Sequence, residues 1–325
     1  MHHVIYGAGA VGSVIGAHLH RTGHDVTLIA RGEHLAALQR EGLRLDTPEG
    51  ELTLRIPAVA SPAEVAWTDD TAVLLCVKSQ QTADALEELA AVAPASTVVV
   101  SCQNGVSNER EILRRFARTY AVPVVLPATH LEPGVVVQDS ALAPGVLDCG
   151  RYPAGRDEIA EALVADFRAA GFGGTVRDDV MAWKHRKLLT NLANGVDAAT
   201  APGAAQDELI ERARGEAAEV FRIAGIAAVS EEDDAGVRAD HVVLRTDTVR
   251  PGGSTLQSMT RGTGVEIDFL TGEIVLLGRL HGVPTPVNEL VQRTVHELVR
   301  AGLPPRSRDA ADLLSQLGKK VEIRL

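Results

Sequence analysis

The first half of the chain alternates short β-branched runs with stretches whose apolar residues recur at helical spacing. Val4–Tyr6 and Val26–Ala30 predict buried strands, and the stretch from Ala10 to about Thr22 predicts a helix that Gly23 ends. The same pattern continues to Arg177, with a hairpin at Leu43–Arg55, helices at Gln80–Val92 and Asp157–Ala170, and strands at Ala72–Val77, Thr97–Ser101, Val124–Leu126, Val135–Val137, Val146–Cys149 and Thr175–Arg177. Strands alternating with helices are typical of βαβ units and a parallel sheet.

The pattern changes after Asp178, where long helical periods replace the alternation. These predicted helices are Val180–Ala199, Gln206–Ala224, Val265–His281 and Val287–Ala301. A chain of 325 residues is also long enough for two domains. We therefore expect an α/β protein, with an N-terminal Rossmann-type, doubly wound sheet in residues 1–177 and a C-terminal, all-helical domain in residues 178–325.

A glycine-rich turn joins the first predicted strand to the first predicted helix. It has the sequence Gly7-Ala8-Gly9-Ala10-Val11-Gly12. In the dinucleotide-binding fingerprint, the first glycine allows the tight turn, the second lets a pyrophosphate approach the backbone, and the third lets helix and strand pack closely. The phosphate then meets the free N–H groups at the helix N-terminus. The alternative is a glycine-rich turn of an unrelated α/β protein, but the strand–turn–helix context favours a dinucleotide.

The residue after the second strand indicates which dinucleotide binds. A site for NAD has an Asp or Glu there for the ribose 2′-hydroxyl, whereas this chain has Ile29-Ala30-Arg31-Gly32. Arg31 offers a guanidinium group to a 2′-phosphate, and no carboxylate competes for it at this point of the sequence. The expected cofactor is therefore NADP(H). The absent acid also disfavours an S-adenosylmethionine methyltransferase, while a solvated surface arginine is the remaining alternative.

Two polar side chains follow buried strands in the first half. Lys78 follows the strand ending at Val77, and Asn104 follows the strand ending near Ser101. The carboxyl ends of parallel strands are where open α/β sheets bind their ligands, so both residues are candidates for the cofactor site. A solvated charge at Lys78 and a helix cap at Asn104 are the alternatives.

The helix predicted at Val180–Ala199 carries a polar stripe. Lys184, Lys187, Asn191 and Asn194 are spaced by three, four and three residues, which places them on one face. Only five of the 32 basic residues are lysines, which suggests that a retained lysine has a task, such as proton donation, that arginine cannot perform. Periodicity alone also permits a simple solvent-facing stripe. We take Lys184 to be structural or peripheral.

These features, with others further along, occur in an order that resembles the ketopantoate reductase (2-dehydropantoate 2-reductase) family over essentially the whole chain. The matching positions are Gly7–Gly12, Arg31, Val77-Lys78, Asn104-Gly105, Thr129-His130, Lys187 with Asn191, Ser254, Gln257, Glu266 and the turn His281–Pro286. The resemblance implies that Lys187 is the proton donor and that Glu266, beginning a helix, positions cofactor and substrate. It also implies that Ser254 contacts the substrate, and that Lys78 and Asn104 hold the cofactor and the reacting groups.

The chain departs from the family pattern in the substrate region. The family has a second asparagine four residues after the counterpart of Asn191, where this chain has Gly195, and Asn194 comes one residue early. The stretch Asp197–Gly203 also lacks a further substrate-binding asparagine. We expect Asn104, Lys187, Asn191, Asn194 and Ser254 to form the substrate site, but its preferred 2-oxo compound need not be ketopantoate.

Composition narrows the partners and the location. The net charge of −11 argues against nucleic acid, which calls for a basic surface. Cys76, Cys102 and Cys149 have neither disulfide-framework nor metal-pair spacing, so no metal is expected. No apolar run is long enough for a membrane span, and a strand predicted almost at the N-terminus leaves no room for a signal peptide, so we expect a cytoplasmic protein. A homodimer stays open.

The function expected from these features is NADPH-dependent reduction of a small 2-oxo acid to the 2-hydroxy acid, with Lys187 as general acid. Three alternatives stay open. They are a paralogue acting on another carbonyl compound, a β-hydroxyacid-type dehydrogenase of the same architecture, and a non-catalytic NADP(H)-binding sensor.

Overall fold

The computed structural model describes residues 1–248 and 252–318, and it divides into two compact units. The first contains Met1–Lys184 together with the described segment that begins at Val229. The second contains His185–Ala228 and the described residues from Gly252 onward. The division of the structure therefore lies inside a helix, whereas the change in sequence pattern predicts a boundary near residue 177.

The first unit contains a seven-stranded sheet and a smaller, four-stranded sheet. Its strands are β1 His2–Tyr6, β2 Asp25–Ile29, β3 Leu43–Thr47, β4 Gly50–Leu54, β5 Ala58–Val59, β6 Thr71–Leu75, β7 Val98–Ser101, β8 Arg118–Ala121, β9 Ala128–Thr129, β10 Val135–Gln138 and β11 Gly150–Arg151. The large sheet has the order β11-β8-β7-β6-β1-β2-β5, and its neighbours are parallel except for β11 with β8. The smaller sheet has the order β4-β3-β10-β9.

The helices cover both units. They are α1 Ala10–Arg21, α2 Gly32–Glu41, α3 Thr82–Ala90, α4 Asn108–Leu113, α5 Glu158–Ala169, α6 Val180–Ala199, α7 Ala204–Ala224, α8 Glu231–Ala239, α9 Ser254–Thr260, α10 Thr271–His281, α11 Pro286–Arg300 and α12 Ala310–Gly318. The second unit is helical in its described residues, with Val196, Leu209 and Val291 among its buried core. The predicted α/β class, with a Rossmann-type sheet followed by a helical region, is confirmed.

The strand order reverses at β1, and this reversal positions the ligand site. β2 lies on one side of β1 and β6 on the other, so the connections after β1 and after β6 diverge to opposite sides. In open α/β sheets, the crevice at such a reversal, beyond the carboxyl ends of the strands, is where ligands bind. The glycine turn follows β1 at this point. The strands are apolar because both faces of the sheet are buried. Ile5 and Leu28 belong to one apolar core, and Tyr6 and Val73 belong to the other.

Several predicted elements between residues 118 and 177 are wrong in detail. The strand placed at Val124–Leu126 is at Arg118–Ala121 instead, before Pro123 rather than after it. Val146–Cys149 and Thr175–Arg177 form isolated bridges, Val146 with Gly173 and Cys149 with Val176, and not strands. These runs are apolar because they are buried, and burial alone does not distinguish a strand from an extended loop.

Other differences concern helices. α2, α4, α8, α9 and α12 were not predicted, since they are short or have weak apolar periodicity. The helix expected from Val265 begins only at Thr271, and a short 3₁₀ turn at Ile267–Phe269 precedes it. By contrast, α6 has the predicted bounds, and the hairpin predicted at Leu43–Arg55 is β3 paired antiparallel with β4.

Candidate active site

The glycine turn after β1 closes tightly against the ends of its neighbouring strands. The N–H groups of Gly7 and Ala8 both donate to the carbonyl of Ile29, at 3.2 and 3.0 Å. Gly7 has φ of +104°, and a Cβ there would lie 2.7 Å from the backbone nitrogen of Val77. An L-residue is therefore excluded by both backbone conformation and space. A Cβ on Gly12 would collide with the carbonyl oxygen of Gly7 and the Ile5 side chain.

The middle of the turn faces open space. A Cβ on Gly9 would meet no atom within 4 Å, so the backbone is bare on that side. Gly9 is also the N-cap of α1, whose first turn, beginning Ala10-Val11, contains no acidic residue. An exposed helix N-terminus without a competing carboxylate fits the pyrophosphate of a dinucleotide. The residues present in the turn therefore fit the cofactor that the fingerprint indicates.

Arg31 lies at the N-cap of α2, shortly after β2, and its guanidinium group is already paired with a carboxylate. Its Nη2 lies 2.7 Å from both carboxylate oxygens of Glu88 on α3. Tyr6, at the end of β1, donates its hydroxyl to Oε2 of the same Glu88 at 2.6 Å. The inference that no carboxylate competes for Arg31 is therefore wrong. Glu88 is 57 residues away along the chain, and only the packing of α3 beside β1 brings it there.

Lys78 and Asn104 follow β6 and β7, and a buried network connects the loops that carry them. Gln103 donates its side-chain amide to the carbonyl of Val77 and to the hydroxyl of Thr82, both at 2.8 Å. Asn108 donates to the carbonyl of Asn104 at 3.0 Å and to the hydroxyl of Ser79. Gln103 and Asn108 are both buried, at 4% and 1% exposure, so these bonds are shielded from water. The backbone that carries Lys78 and Asn104 is thus held in one conformation.

Lys184 is structural, and it is not peripheral. Its ammonium group is 2% exposed and forms an ion pair with Glu109 of α4, which is fully buried. It also donates to the carbonyl of Gln103 at 3.0 Å, next to Asn104. Lys184 therefore ties the start of α6 to the loop after β7. Sequence reasoning missed Gln103, Asn108 and Glu109. Gln103 closely follows a buried strand, whereas Asn108 and Glu109 begin a short helix that the pattern did not predict.

The remaining polar positions of α6 lie in the second unit. Lys187 is partly exposed, whereas Asn191 is buried at 4% exposure. The neighbouring Leu188, Leu189 and Leu192 are buried at 0%, 7% and 1% exposure. Asn191 is a buried polar side chain on an apolar helix, so the stripe is not simply a solvent-facing surface.

Asn194 and Ser254 are brought together. The Asn194 amide donates to the Ser254 hydroxyl at 3.3 Å, although 60 residues separate them. One turn along α6, Asp197 accepts from the backbone N–H of Gly253 at 3.1 Å and pairs with Arg306. The segment that departs from the family pattern therefore holds the Ser254 loop directly.

Gly195 has a packing role. A Cβ at this position would lie 2.8 Å from Cδ1 of Ile267 and 3.1 Å from Cγ1 of Val291. A side chain at this point needs at least the end of the Ile267 side chain to shift, so close packing disfavours an asparagine here. The contact with Ile267 also places α6 against the segment that directly follows Glu266.

Glu266 does not begin an α-helix. It is the N-cap of the 3₁₀ turn Ile267–Phe269, and its carbonyl accepts from the N–H of Phe269 at 3.0 Å. Ile267 is fully buried, while the Glu266 residue remains partly exposed. Anchoring of Ile267 in the core fixes the backbone of Glu266 and leaves its carboxylate at the edge of that core. Gln257, another matching position, donates to the carbonyl of Gly252 at 3.3 Å and so braces the Ser254 loop.

Two of the three cysteines, Cys76 and Cys149, are poor nucleophiles. A hydrogen bond with Cys102, together with burial, raises the pKa of the Cys76 thiol, and burial raises the pKa of Cys149. Within residues 1–248 and 252–318, no cluster of His, Cys, Asp and Glu has the makings of a metal site. None of the helices described there has the length and apolar character of a membrane span.

Comparison with known proteins places these features in a family. Residues 3–153 match the model of "Ketopantoate reductase PanE/ApbA", and residues 179–299 match that of its C-terminal part. A 2-dehydropantoate 2-reductase from Pyrococcus horikoshii is 32% identical over 292 residues, which are 88% of this chain and 94% of that protein.

Solved structures agree in fold. A PanE/ApbA family ketopantoate reductase from Ralstonia eutropha JMP134 has a TM-score of 0.79 and 29% identity, covering 93% of this chain and 99% of its own. D-mandelate dehydrogenase, in a ternary structure with NADH and anilino(oxo)acetate, has a TM-score of 0.76 at 21% identity with the same coverage. The second likeness extends to the fold alone.

Proposed function

The chain belongs to the ketopantoate reductase family and is an oxidoreductase, and we propose that it uses NADPH to reduce a small 2-oxo acid to the 2-hydroxy acid. The observation that carries the proposal is the glycine turn at the β1 reversal. Its bare Gly9 face and acid-free helix N-terminus fit a dinucleotide pyrophosphate. Arg31, at the end of β2, is the residue for the 2′-phosphate. Gly7, Ala8, Gly9, Ala10, Val11 and Gly12 form the turn itself.

When bound, NADPH supplies the hydride that is added to the carbonyl carbon of the substrate. Lys187 donates a proton to the carbonyl oxygen, and its positive charge stabilises the alkoxide that develops there. Arginine at the same position is a poor substitute because its pKa is too high for proton release. Lys78 and Asn104 hold the cofactor and the reacting groups, and their loops are kept rigid by Gln103 and Asn108.

The second unit supplies the substrate contacts. Asn191, Asn194 and Ser254 bind the 2-oxo acid, and Glu266 aligns the Lys187 ammonium with cofactor and substrate. The hydrogen bond between Asn194 and Ser254 supports the grouping of these two residues. Ketopantoate is the first candidate substrate, because the curated relatives carry the name 2-dehydropantoate 2-reductase.

A second candidate is a different 2-oxo acid. Gly195 stands where the family has an asparagine, and its neighbours Ile267 and Val291 fill the space of a side chain. A substrate contact made by that asparagine is therefore absent, and Asn194 approaches Ser254 from another angle of the helix. This arrangement favours a substrate whose group beyond the keto acid differs from that of ketopantoate.

A substrate panel tests the proposal. Purified protein is mixed with NADPH and, in turn, ketopantoate, pyruvate, 2-oxoisovalerate and phenylglyoxylate, and the loss of nicotinamide absorbance is followed. We expect turnover with at least one branched 2-oxo acid and, in the same assay, none with a simple aldehyde. If none of these 2-oxo acids is reduced although NADPH binds, the result favours the alternative of a non-catalytic NADP(H)-binding sensor. Ketopantoate turnover with little activity on the others contradicts the second candidate.

A further inference from the structure

The cluster around Arg31 contains more than a phosphate-binding group. Tyr6 is 2% exposed, with its ring packed among Val4, Val73 and Leu75 in the core. Its hydroxyl therefore has a fixed position at the carboxyl end of β1. Glu88 accepts a hydrogen bond of 2.6 Å from that hydroxyl, which anchors the carboxylate independently of Arg31.

The Glu88 carboxylate is charged and directed at Arg31. The hydrogen bond from Tyr6, followed by the charge of Arg31, holds the pKa of Glu88 below its usual range. Both carboxylate oxygens lie 2.7 Å from Nη2 of Arg31. The guanidinium group thus has a partner of opposite charge, itself held by a buried phenol. A 2′-phosphate that approaches Arg31 meets the negative charge of Glu88 at the same time.

The same carboxylate has the opposite effect on a ribose that carries no phosphate. A carboxylate near the end of β2 accepts a hydrogen bond from the 2′-hydroxyl in NAD-type sites. In those sites the acid belongs to β2 itself, whereas here it comes from α3. The chain therefore presents both an arginine for a phosphate and a carboxylate for a hydroxyl at one place.

We propose that Glu88 is a specificity-determining residue. Its charge weakens NADPH binding, and its carboxylate gives NADH a ribose contact. The affinities for NADPH and NADH therefore differ less than they would with Arg31 alone. The proposal rests on the proposed function only in assigning the adenosine ribose to Arg31. Tyr6 acts on this selectivity by fixing the carboxylate.

The test is a comparison of cofactor affinities by fluorescence titration with NADPH and NADH, repeated with 2′,5′-ADP and 5′-ADP as competitors. In Glu88→Gln, the amide still accepts the bond from Tyr6 but loses the charge. We expect NADPH and 2′,5′-ADP to bind about tenfold more tightly, the size of one nearby charge at an effective dielectric constant between that of a protein surface and that of water. NADH and 5′-ADP should bind equally or more weakly.

The matched control is Glu87→Gln, which removes the same charge from the neighbouring exposed position of α3. It should change neither the NADPH affinity nor the ratio of the two affinities by more than about twofold, because long-range surface charge is screened. An equal gain in NADPH affinity from Glu87→Gln and Glu88→Gln contradicts the inference, since net charge then explains both. Unchanged NADPH and NADH affinities in Glu88→Gln also overturn it.

Arg31→Ala separates this inference from the proposed function. If Arg31→Ala weakens NADPH binding but Glu88→Gln changes nothing, Arg31 is the phosphate site and only the role of Glu88 is wrong. If Arg31→Ala leaves NADPH binding unchanged, the assignment of the 2′-phosphate to Arg31 fails. With Arg31→Ala already present, Glu88→Gln should still strengthen NADPH binding, because the repulsion between Glu88 and the phosphate does not need Arg31.

Discussion

The glycine-turn region of the first unit and the Ser254 region of the second unit are built in different ways. In the first, the backbone of Gly7, Gly9 and Gly12 forms the proposed surface for a dinucleotide, and buried amides of Gln103 and Asn108 fix the neighbouring loops. In the second, side chains from distant segments meet, as Asn194 and Ser254 do at 3.3 Å. Backbone recognition tolerates little change at its glycines, whereas side-chain recognition can be altered by moving one residue.

This contrast explains where the chain keeps the family pattern and where it departs from it. The pyrophosphate is the same in every nicotinamide dinucleotide, so one short turn of fixed geometry can form its site. The second region contains the stretch from Asn194 to Gly203, where this chain departs from the family pattern. The first region therefore indicates the reaction class, and the second should decide the substrate.

The largest effect should come from Lys187, the proposed proton donor, which lies in the second unit. We predict that Lys187→Ala lowers kcat by about 10²–10⁴, the usual loss for a positioned proton donor. The affinity for NADPH, measured by fluorescence titration, should stay within a few-fold, because the glycine turn lies in the other unit. Lys187→Arg should be nearly as slow, since it keeps the charge but not a proton that can be released. Near-normal turnover in Lys187→Arg would contradict a proton-donor role.

Lys184 tests the rigidity of the first region. Lys184→Met leaves the Glu109 carboxyl group fully buried without its partner, and we predict a loss of about 3–5 kcal/mol in the free energy of unfolding. Urea titration measures it. The double variant Lys184→Met with Glu109→Leu should recover most of the loss, because the pair is replaced by apolar groups of similar size. A stable single variant would mean that the buried carboxylate is satisfied in another way.

Acid should weaken the first unit through His18. This residue is 5% exposed and contacts Gln138 at 2.8 Å, and burial lowers its pKa to about 4. The unfolded chain takes up a proton near pH 6.5, while the folded chain does not until about pH 4. The contribution of His18 to the free energy of unfolding is therefore fully present above about pH 6.5, and about 3 kcal/mol is lost as the pH drops to about 4. Urea titrations at pH 7 and pH 5 measure this difference in the free energy of unfolding, and His18→Gln should reduce it. An unchanged difference would mean that His18 is not its source.

Arg31 tests the cofactor assignment. We predict that Arg31→Ala weakens NADPH binding by about 1.5–3 kcal/mol, the range for hydrogen bonds to charged groups, and that NADH binding changes much less. Titration of nicotinamide fluorescence with each cofactor measures both affinities. Arg40→Ala, another exposed arginine of the same unit, is the control and should change neither. Equal losses for NADPH and NADH would mean that Arg31 does not recognise the 2′-phosphate.

Asn194 should have the smallest effect, and it sharpens the view of the substrate region. We predict that Asn194→Ala raises KM for the 2-oxo acid by about two- to tenfold, the worth of one neutral hydrogen bond. The kcat should change little, and NADPH affinity should not change. Steady-state kinetics with the best substrate of the panel give both values. A KM unaffected by Asn194→Ala, together with a KM raised by Ser254→Ala, would assign the contact to Ser254 alone.

The amino-acid sequence determined the features that depend on local order along the chain. The glycine turn, the bounds of α6 and the β3–β4 hairpin follow from short-range pattern, because turn geometry and helical periodicity are properties of neighbouring residues. The family was also apparent from the order of its motifs along the chain.

Tertiary structure alone decided which distant side chains meet. Glu88 reaches Arg31 from α3, which shares an apolar cluster with β1, and Glu109 reaches Lys184 from α4, 75 residues away along the chain. The predicted strands at Val146–Cys149 and Thr175–Arg177 are wrong for a related reason, as these apolar runs are buried without a ladder of partners. Sequence pattern reports that a residue is buried, whereas its partner depends on how the elements pack, which no local pattern contains.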